Sequence, residues 1–255
     1  MKEKQFLTHV TAGSRRSLDW LTLSATVLTA FGTQAAYAGD DYIVYSPRVT
    51  KGQTEVELRG FTYQGGGNLD GTVTHEISIA HAVTNWWKPE LYIAEFTRNP
   101  GGPTHLTGYE FENIFQLASS GEFWADPGFL LSYGFNKQQG VTDRVEFGPL
   151  LEKLSGRIDQ RLNLIWEKGV GSNARGQYAF RSSYSISYRL KDAFAPGVEA
   201  YYRPADNAYQ LGPVFQGELH SDTGSEIEYR VGILFGVNPG APNQTLLFNL
   251  AYEFF

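Results

Sequence analysis

The chain has 255 residues, no cysteine and a formal net charge of −6 at pH 7. The lack of cysteine excludes a disulfide framework, a thiolate metal site and a cysteine nucleophile. The acidic balance argues against nucleic acid as a partner. Apolar residues make up 42% of the sequence, yet the mean hydropathy is −0.31. A membrane-spanning β-barrel can combine these values, because only every second residue of its strands must be apolar.

Residues 1–38 have the order of a secretory signal peptide. A region with four basic residues comes first, and a mildly apolar stretch follows from Trp20 to Phe31. Ala36-Tyr37-Ala38 then supplies the small-residue cleavage site of such signals. We expect residues 1–38 to be cleaved on export through the periplasm, and residues 39–255 to form a single barrel domain.

The rest of the sequence divides into twelve segments separated by turn signals rich in Gly, Pro and Asn. These segments lie near 53–65, 71–84, 87–98, 104–118, 122–136, 142–153, 156–168, 175–189, 195–204, 207–219, 225–237 and 244–255. Their lengths and even number are typical of membrane barrels. The sequence therefore predicts an all-β fold, a transmembrane antiparallel up-and-down β-barrel of about 12 strands.

Polar and apolar side chains alternate along most of these segments, as they do in strands with two different faces. A secreted β-sandwich or a lipocalin-like barrel shows the same alternation with the faces reversed, so the periodicity alone leaves both architectures open. The segment 104–118 loses its alternation at Asn113-Ile114, and we expect a β-bulge there.

The last segment carries an apolar face that continues to the end of the chain: Leu246, Phe248, Leu250, Tyr252 and Phe254. This end resembles the terminal strand of Gram-negative outer-membrane β-barrels, which commonly close on an aromatic residue. The resemblance implies that Tyr252, Phe254 and Phe255 form a barrel-closing signal. It also implies location in the outer membrane, contact with outer-membrane lipid, and the barrel assembly machinery as a partner during insertion.

A second resemblance rests on strand motifs spread over residues 40–255. They are Tyr109-Glu110-Phe111-Glu112-Asn113 with Phe115-Gln116-Leu117, Gly148-Pro149, Asn163 with Glu167-Lys168-Gly169, and Leu211-Gly212-Pro213. The chain resembles a poorly characterised group of proteobacterial outer-membrane barrels. That group is similar to transporter-like barrels associated with the meta-pathway of phenol degradation. The resemblance implies a channel or transport role and carries no active site with it.

The inward face of the predicted barrel is dense in charge. The residues expected to line the lumen are Glu55, Glu57, Arg59, Glu110, Glu112, Arg144, Glu146, Arg157, Asp159, Arg161, Arg181, Arg189, Glu226, Glu228 and Arg230. One interpretation is a filled interior braced by salt bridges. The other is a narrow pore, in which a row of arginines on strands six to eight faces carboxylates and orients a polar solute.

We predict a monomeric passive channel or transport-associated protein for small polar or organic solutes, with no enzymatic activity and no cofactor. A non-conducting structural or adhesion barrel is the first alternative, and an outer-membrane hydrolase is the second. The hydrolase has little support, because the nearest catalytic pattern, His220-Ser221-Asp222, lies in a predicted turn. Asn68-Leu69-Asp70-Gly71 is typical of a turn and lacks the spacing of a calcium loop.

Overall fold

The computed structural model describes residues 42–65, 69–172, 174, 176–222 and 224–255. The predicted signal peptide, residues 1–38, lies outside the described residues, as does Asn68 of the Asn68–Gly71 turn. Within the described ranges, no helix is long and apolar enough to cross a membrane.

The described chain forms a closed antiparallel barrel in which each strand pairs with its neighbours in sequence, and the first pairs with the last. The strands are β1 (Thr54–Gln64), β2 (Val73–His81), β3 (Trp87–Arg98), β4 (Thr104–Gln116), β5 (Asp126–Asn136), β6 (Asp143–Ser155), β7 (Ile158–Val170), β8 (Tyr178–Tyr188), β9 (Ala195–Arg203), β10 (Ala208–His220), β11 (Glu226–Gly236) and β12 (Gln244–Phe254). A short 3-10 helix, Pro204–Asp206, lies between β9 and β10. The predicted fold class is confirmed.

The barrel closes along the seam between β1 and β12. Thr54 lies opposite Phe254, and Gln64 lies opposite Gln244, so the two strands pair over their whole length. This pairing leaves the sheet without a free edge. We call the end of the barrel that holds Thr54 and Phe254 the terminal end, and the opposite end the loop end.

Apolar side chains cover the outside of the barrel. In β12, Tyr252 and Phe254 face outward and are 46% and 37% exposed, whereas Glu253 between them is buried. A soluble barrel shows the reverse arrangement, with an apolar interior and a polar exterior. A single closed sheet with an apolar outside and charges inside matches a membrane barrel and excludes the β-sandwich alternative.

The strand boundaries differ from the predicted ones by up to four residues, and β5 shows the reason. It begins at Asp126, because the carboxylate of Asp126 closes the preceding turn. One carboxylate oxygen accepts a hydrogen bond from the backbone N–H of Gly121, and the other accepts one from Ser120 Oγ, both at 2.6 Å. Residues 122–125, predicted as strand, belong to this turn.

The prediction of a β-bulge at Asn113-Ile114 is wrong. The β4 strand pairs with β5 without interruption there, and the irregular pairing lies instead between β3 and β4, from Tyr92 to Phe96. Asn113 accepts a hydrogen bond from the indole Nε1 of Trp87 at 3.0 Å. Ile114 packs into an apolar cluster inside the barrel, so the polar residue faces out and the apolar residue faces in.

Residues 42–53, which we call the lumen segment, precede β1 and run inside the barrel. Tyr42, Val44, Tyr45 and Val49 are all buried, although the segment belongs to no strand. At the terminal end the segment turns into β1, and Gly52 donates a backbone hydrogen bond to the carbonyl of Ala82 at 2.8 Å. The sequence analysis did not predict this element.

Candidate functional site

The lumen segment is held by specific hydrogen bonds from the barrel wall. The side chain of Asn163 in β7 is fully buried and bonds both backbone groups of Tyr45. The Tyr45 N–H donates to Asn163 Oδ1 at 2.7 Å, and Asn163 Nδ2 donates to the Tyr45 carbonyl at 3.0 Å. Further toward the terminal end, Val49 N–H donates to Gln116 Oε1 at 2.8 Å, and Arg48 Nη2 donates to Asp126 at 2.8 Å.

Apolar contacts bind the segment to two different walls. Tyr45 and Val49 pack against one inward cluster: Ala82, Ile114, Leu130, Leu150 and Ile165. Tyr42 reaches the other wall, where its cluster holds Phe61, Tyr63, Tyr201, Val214, Leu234 and Leu247. The ring centroids of Tyr42 and Phe61 lie 4.9 Å apart, with the planes near perpendicular. These inward apolar residues depart from the polar interior expected of a membrane barrel, because they contact the lumen segment.

A glycine makes room for the segment on the wall. A Cβ atom added at Gly128 in β5 would lie 2.4 Å from the Cβ of Pro47, which is closer than such atoms approach. Pro47 is itself among the most deeply buried side chains of the described residues. The segment therefore fits directly against the backbone of β5 at this point.

The loop half of the lumen holds a network of ion pairs around Arg144. Arg144 Nη2 lies 3.4 Å from Glu95 and also pairs with Glu110, while its Nε lies 3.3 Å from Glu146. Arg181 pairs with Glu146 from the other side. Glu146 is only 1% exposed, so its charge depends on these arginines for stabilisation. We call these five residues the loop-half ion cluster.

Two more arginines are bound at intermediate depth. Arg59 Nε lies 2.6 Å from Glu76, its Nη1 lies 3.7 Å from Glu57, and its guanidinium stacks over the ring of Tyr92 at 4.4 Å. Glu112 lies in β4, the strand next to that of Tyr92, and is 1% exposed. The charge of Arg59 is thus compensated within the barrel.

The second of these arginines, Arg230, connects β11 to the lumen segment. Its Nε donates to Glu199 at 2.7 Å, and its Nη2 donates to the Tyr42 carbonyl at 3.0 Å and to Tyr201 Oη at 2.8 Å. The position of Tyr42 is therefore fixed by both its ring and its carbonyl.

The terminal half of the lumen contains a cavity of about 370 Å³, which we call the terminal cavity. The lumen segment forms one side of it, and residues of β1, β3, β4 and β6 to β12 form most of the rest. Exposed residues at the terminal end, including Gly156 and Arg157, line its mouth. A second cavity of only about 30 Å³ lies beside Tyr42 and Arg181. Ile43 and Tyr45 border both cavities, so the lumen segment separates them.

The residues expected to line the lumen fall into two groups. Those that border the terminal cavity are Glu55, Glu57, Arg157, Asp159, Arg161, Arg189, Glu226, Glu228 and Arg230. The others, Arg59, Glu110, Glu112, Arg144, Glu146 and Arg181, do not border it. The arginines that the pore interpretation placed in a row on strands six to eight are divided between the two halves of the lumen. Arg144 and Arg181 lie in the loop half, whereas Arg157, Arg161 and Arg189 lie at the terminal cavity, because the lumen segment passes between them.

Some charged residues that border the cavity were not predicted to do so from the sequence. Lys88 and Glu90 in β3 border the cavity, and Lys88 Nζ lies 2.9 Å from Glu55. Their spacing of two residues is the signal that places both on one face of a strand. Arg48, the third, belongs to the lumen segment and lies outside any strand pattern.

No protein-family model matches this chain, and no curated protein matches its sequence. Solved structures of similar fold include the NanC porin, with 12% identity, 78% of this chain and 99% of that chain covered, and a TM-score of 0.52. The KdgM porin is 9% identical, with 79% of this chain and 98% of that chain covered and a TM-score of 0.51. An outer-membrane channel from Pseudomonas putida F1 is 11% identical, with 86% of this chain and 99% of that chain covered and a TM-score of 0.50. At these identities the likeness establishes a shared barrel fold.

Proposed function

We propose that this chain is a monomeric outer-membrane barrel that acts as a narrow passive channel for small polar solutes. The observation that carries the proposal is the terminal cavity of about 370 Å³, bordered by charged side chains inside a closed barrel. A purely structural barrel has no need of a charged cavity of this size. The porin and channel structures that share the fold support the same interpretation. The resemblance to transporter-like barrels associated with the meta-pathway of phenol degradation stays a prediction.

The lumen segment sets the resistance of this channel. Tyr42 borders the small cavity on the loop side of the segment and is fixed by the Phe61 ring and by Arg230. A solute that moves from the terminal cavity toward the loop end would meet this side chain, so Tyr42 is the proposed constriction. A pore narrowed by one aromatic side chain should conduct weakly.

Single-channel recording in planar bilayers tests the proposal on protein purified from outer membranes. We expect a small conductance that rises several-fold in Tyr42→Ala, because the ring no longer narrows the path. Tyr188→Ala, which shortens an outward tyrosine of β8, is the matched control and should leave the conductance unchanged. Absence of conductance in all three proteins would instead favour the non-conducting structural barrel.

A non-conducting barrel remains the second candidate because of the loop-half ion cluster. Arg144 contacts three carboxylates there, and such a network stiffens a barrel and fills its interior. The hydrolase has less support, because His220 Nδ1 lies 2.9 Å from a carboxylate oxygen of Glu226, beside a turn.

We also propose that Tyr252, Phe254 and Phe255 serve as the assembly signal. Tyr252 and Phe254 face outward at the seam, and Phe255 is 75% exposed beyond the last strand. Deleting Tyr252–Phe255 should abolish outer-membrane levels in cells, while refolding in detergent is only partly impaired. Each lost aromatic contact is worth about 1.5–3 kcal/mol, a modest fraction of the stability of a closed barrel. Normal outer-membrane levels of the shortened protein would refute a role in targeting.

A further inference from the structure

Four aromatic side chains form a connected cluster on the outside of the barrel, which we call the outer aromatic cluster: Phe147 in β6, Trp166 in β7, and Tyr178 and Phe180 in β8. The ring centroids of Phe147 and Trp166 lie 6.4 Å apart, and those of Trp166 and Phe180 lie 5.1 Å apart. Tyr178 meets Phe147 edge-on at 6.2 Å. Glu167, which follows Trp166, is buried and faces the lumen, so the rings lie on the opposite side of the wall. Each of the four residues lies close to the loop end of its strand.

A lysine lies at the edge of this cluster, toward the loop end. Lys168 pairs with Tyr178 across β7 and β8, and its Nζ lies 4.9 Å from the centroid of the Tyr178 ring. Its ammonium makes no ion pair with a carboxylate among the described residues. An ammonium has three hydrogen-bond donors, and the attraction to a ring face does not occupy them all. Lys168 can therefore bind an anionic group from outside the protein.

The carboxylate at the loop end of β6 is bound elsewhere. Asp143 lies diagonally across the β6–β7 ladder from Lys168, which pairs with Val145. One oxygen of Asp143 accepts a hydrogen bond from Tyr133 Oη at 3.0 Å, and the other accepts one from the backbone N–H of Asn136 at 2.9 Å. Asp143 is thus held on the side of β5 and leaves Lys168 without an ion-pair partner.

A second cation–ring contact on the outside of the barrel supplies a comparison. Lys153 lies near the terminal end of β6, and its Nζ lies 4.1 Å from the ring centroid of Trp124 in the turn before β5. Trp124 is 78% exposed and stacks on no other ring among the described residues. Both lysines contact a ring face, but only Lys168 adjoins a cluster of several rings. A molecule with an anionic part and an apolar part should therefore bind better at Lys168.

The loop end of the barrel meets the outer leaflet in the proposed outer-membrane location. In outer-membrane barrels with an even number of strands, both chain ends lie on the periplasmic side and the opposite end faces outside the cell. Aromatic and long cationic side chains near strand ends lie at the level of the lipid headgroups. The main lipid of that leaflet is a glycolipid whose lipid A part carries phosphate groups on its sugars. Lys168 and the outer aromatic cluster thus meet a lipid that combines phosphate with acyl chains.

We propose that Lys168 and the outer aromatic cluster form a binding site for this phosphorylated glycolipid. A phosphate group lies at the Lys168 ammonium, and an acyl chain lies along the rings of Trp166 and Phe147. A free phosphate ion uses the lysine alone, whereas the lipid uses both the lysine and the rings. The inference goes beyond the proposed channel, since it rests on the proposed outer-membrane location and requires no conductance.

Native mass spectrometry of the intact protein in detergent tests the site by titration with lipid. The probes are lipid A with its phosphate groups, lipid A from which the phosphates have been removed, and inorganic phosphate as a competitor. We expect phosphorylated lipid A to bind at least about tenfold more tightly than the dephosphorylated form, since a charge-assisted hydrogen bond contributes on this scale. Equal affinity for the two forms would overturn the proposal. Displacement of lipid A by inorganic phosphate at an equal concentration would do the same, because the site would then bind a free anion.

Three substitutions separate the contribution of the lysine from that of the rings. Lys168→Gln should weaken phosphorylated lipid A about tenfold and leave the dephosphorylated form unchanged. Lys153→Gln, which removes the comparable lysine at the terminal end, is the matched control and should alter neither. Trp166→Leu keeps an apolar side chain but removes the ring, and should weaken both forms to the same degree.

Heat-dependent migration in detergent gels first shows that each variant has formed a closed barrel. Equal losses in Lys168→Gln and Lys153→Gln would mean non-specific attraction to positive charge and would overturn the site. Cell fractionation tests the location separately. A protein recovered outside the outer membrane would refute the proposed location and this partner with it. An outer-membrane protein without a preference for phosphorylated lipid A would refute this inference alone, whatever its conductance.

Discussion

Charged side chains are arranged differently in the two halves of the lumen. In the loop half, Arg144 and Arg181 are surrounded by Glu95, Glu110 and Glu146, and the interior is closed by these contacts. In the terminal half, charges of both signs border an open cavity, and some of them make no ion pair among the described residues. Buried ion pairs cost desolvation and give little net stability. The closed network therefore fits a structural role in the loop half, and the open charged cavity fits the proposed passage of small solutes in the terminal half.

Deleting residues 42–50 should have the largest effect, because the lumen segment is what separates the halves. We expect single-channel conductance to rise several-fold, and to exceed that of Tyr42→Ala, which keeps the rest of the segment. The barrel should also unfold at a lower temperature, since the segment buries Tyr42, Tyr45 and Val49. Each such side chain contributes about 1.5–3 kcal/mol. Conductance equal to that of the complete protein would mean that the segment does not obstruct the lumen.

Arg144→Gln should strongly destabilise the barrel, because it leaves Glu110 buried without its cation and Glu146 with Arg181 alone. Breaking a buried ion pair costs about 3–5 kcal/mol. Glu228→Gln in the terminal cavity is the matched change, and should alter the free energy of unfolding by less than about 0.5 kcal/mol. Tryptophan fluorescence during urea unfolding in detergent measures both. Equal destabilisation would show that the halves do not differ in the way described.

Asn163→Ala should release the lumen segment from β7. The backbone N–H and carbonyl of Tyr45 would lose their partners, and each unsatisfied buried group costs about 1–3 kcal/mol. Trypsin cleavage after Arg48 should accelerate, because that bond becomes accessible when the segment leaves the wall. Asn163→Asp, which still accepts from the Tyr45 N–H, should show an intermediate rate. Unchanged cleavage in both variants would contradict the anchoring role of Asn163.

Gly128→Ala should have the smallest effect of the four. Its new Cβ would lie 2.4 Å from Pro47, and overpacking of this kind costs about 1–3 kcal/mol. Combining it with Pro47→Gly should recover part of that loss, which a double-mutant cycle measures as coupling. Gly102→Ala at the loop end, where the nearest atom is 3.4 Å away, is the control. Additive effects of Gly128→Ala and Pro47→Gly would rule out the close contact.

Alternation along the sequence was enough to predict the strands and their number, but the aromatic end of the chain was needed to predict which face points outward. In β12, for example, Leu250 and Tyr252 face outward as predicted. It predicted the strand bounds less well, because the start of β5 depends on hydrogen bonds from a turn to Asp126. Turn chemistry of this kind does not change the period of the flanking strand.

The lumen segment is reflected in the sequence by apolar positions that break the alternation of polar and apolar residues. Several strands contain two adjacent apolar residues, and in each pair one side chain faces outward while the other faces the segment: Ile114-Phe115, Leu130-Leu131, Leu150-Leu151, Leu164-Ile165, Ile233-Leu234 and Leu246-Leu247. Such pairs indicate that something apolar occupies the interior. They cannot identify it, because the contact between Tyr45 and Asn163 joins residues 118 positions apart.

The site that receives the lumen segment has a consequence for the order of assembly. The segment comes before β1 in the chain, yet its partners come from β1, from β4 to β7 and from β9 to β12. The apolar cluster that contains Tyr42 also includes Leu247 and is therefore completed only by the final strand, β12. The part of the described chain that is synthesised first therefore completes its contacts only after the last strand has been made. The contacts of Tyr45 with β4 to β7 can form before the seam, whereas those of Tyr42 with β12 depend on the final strand.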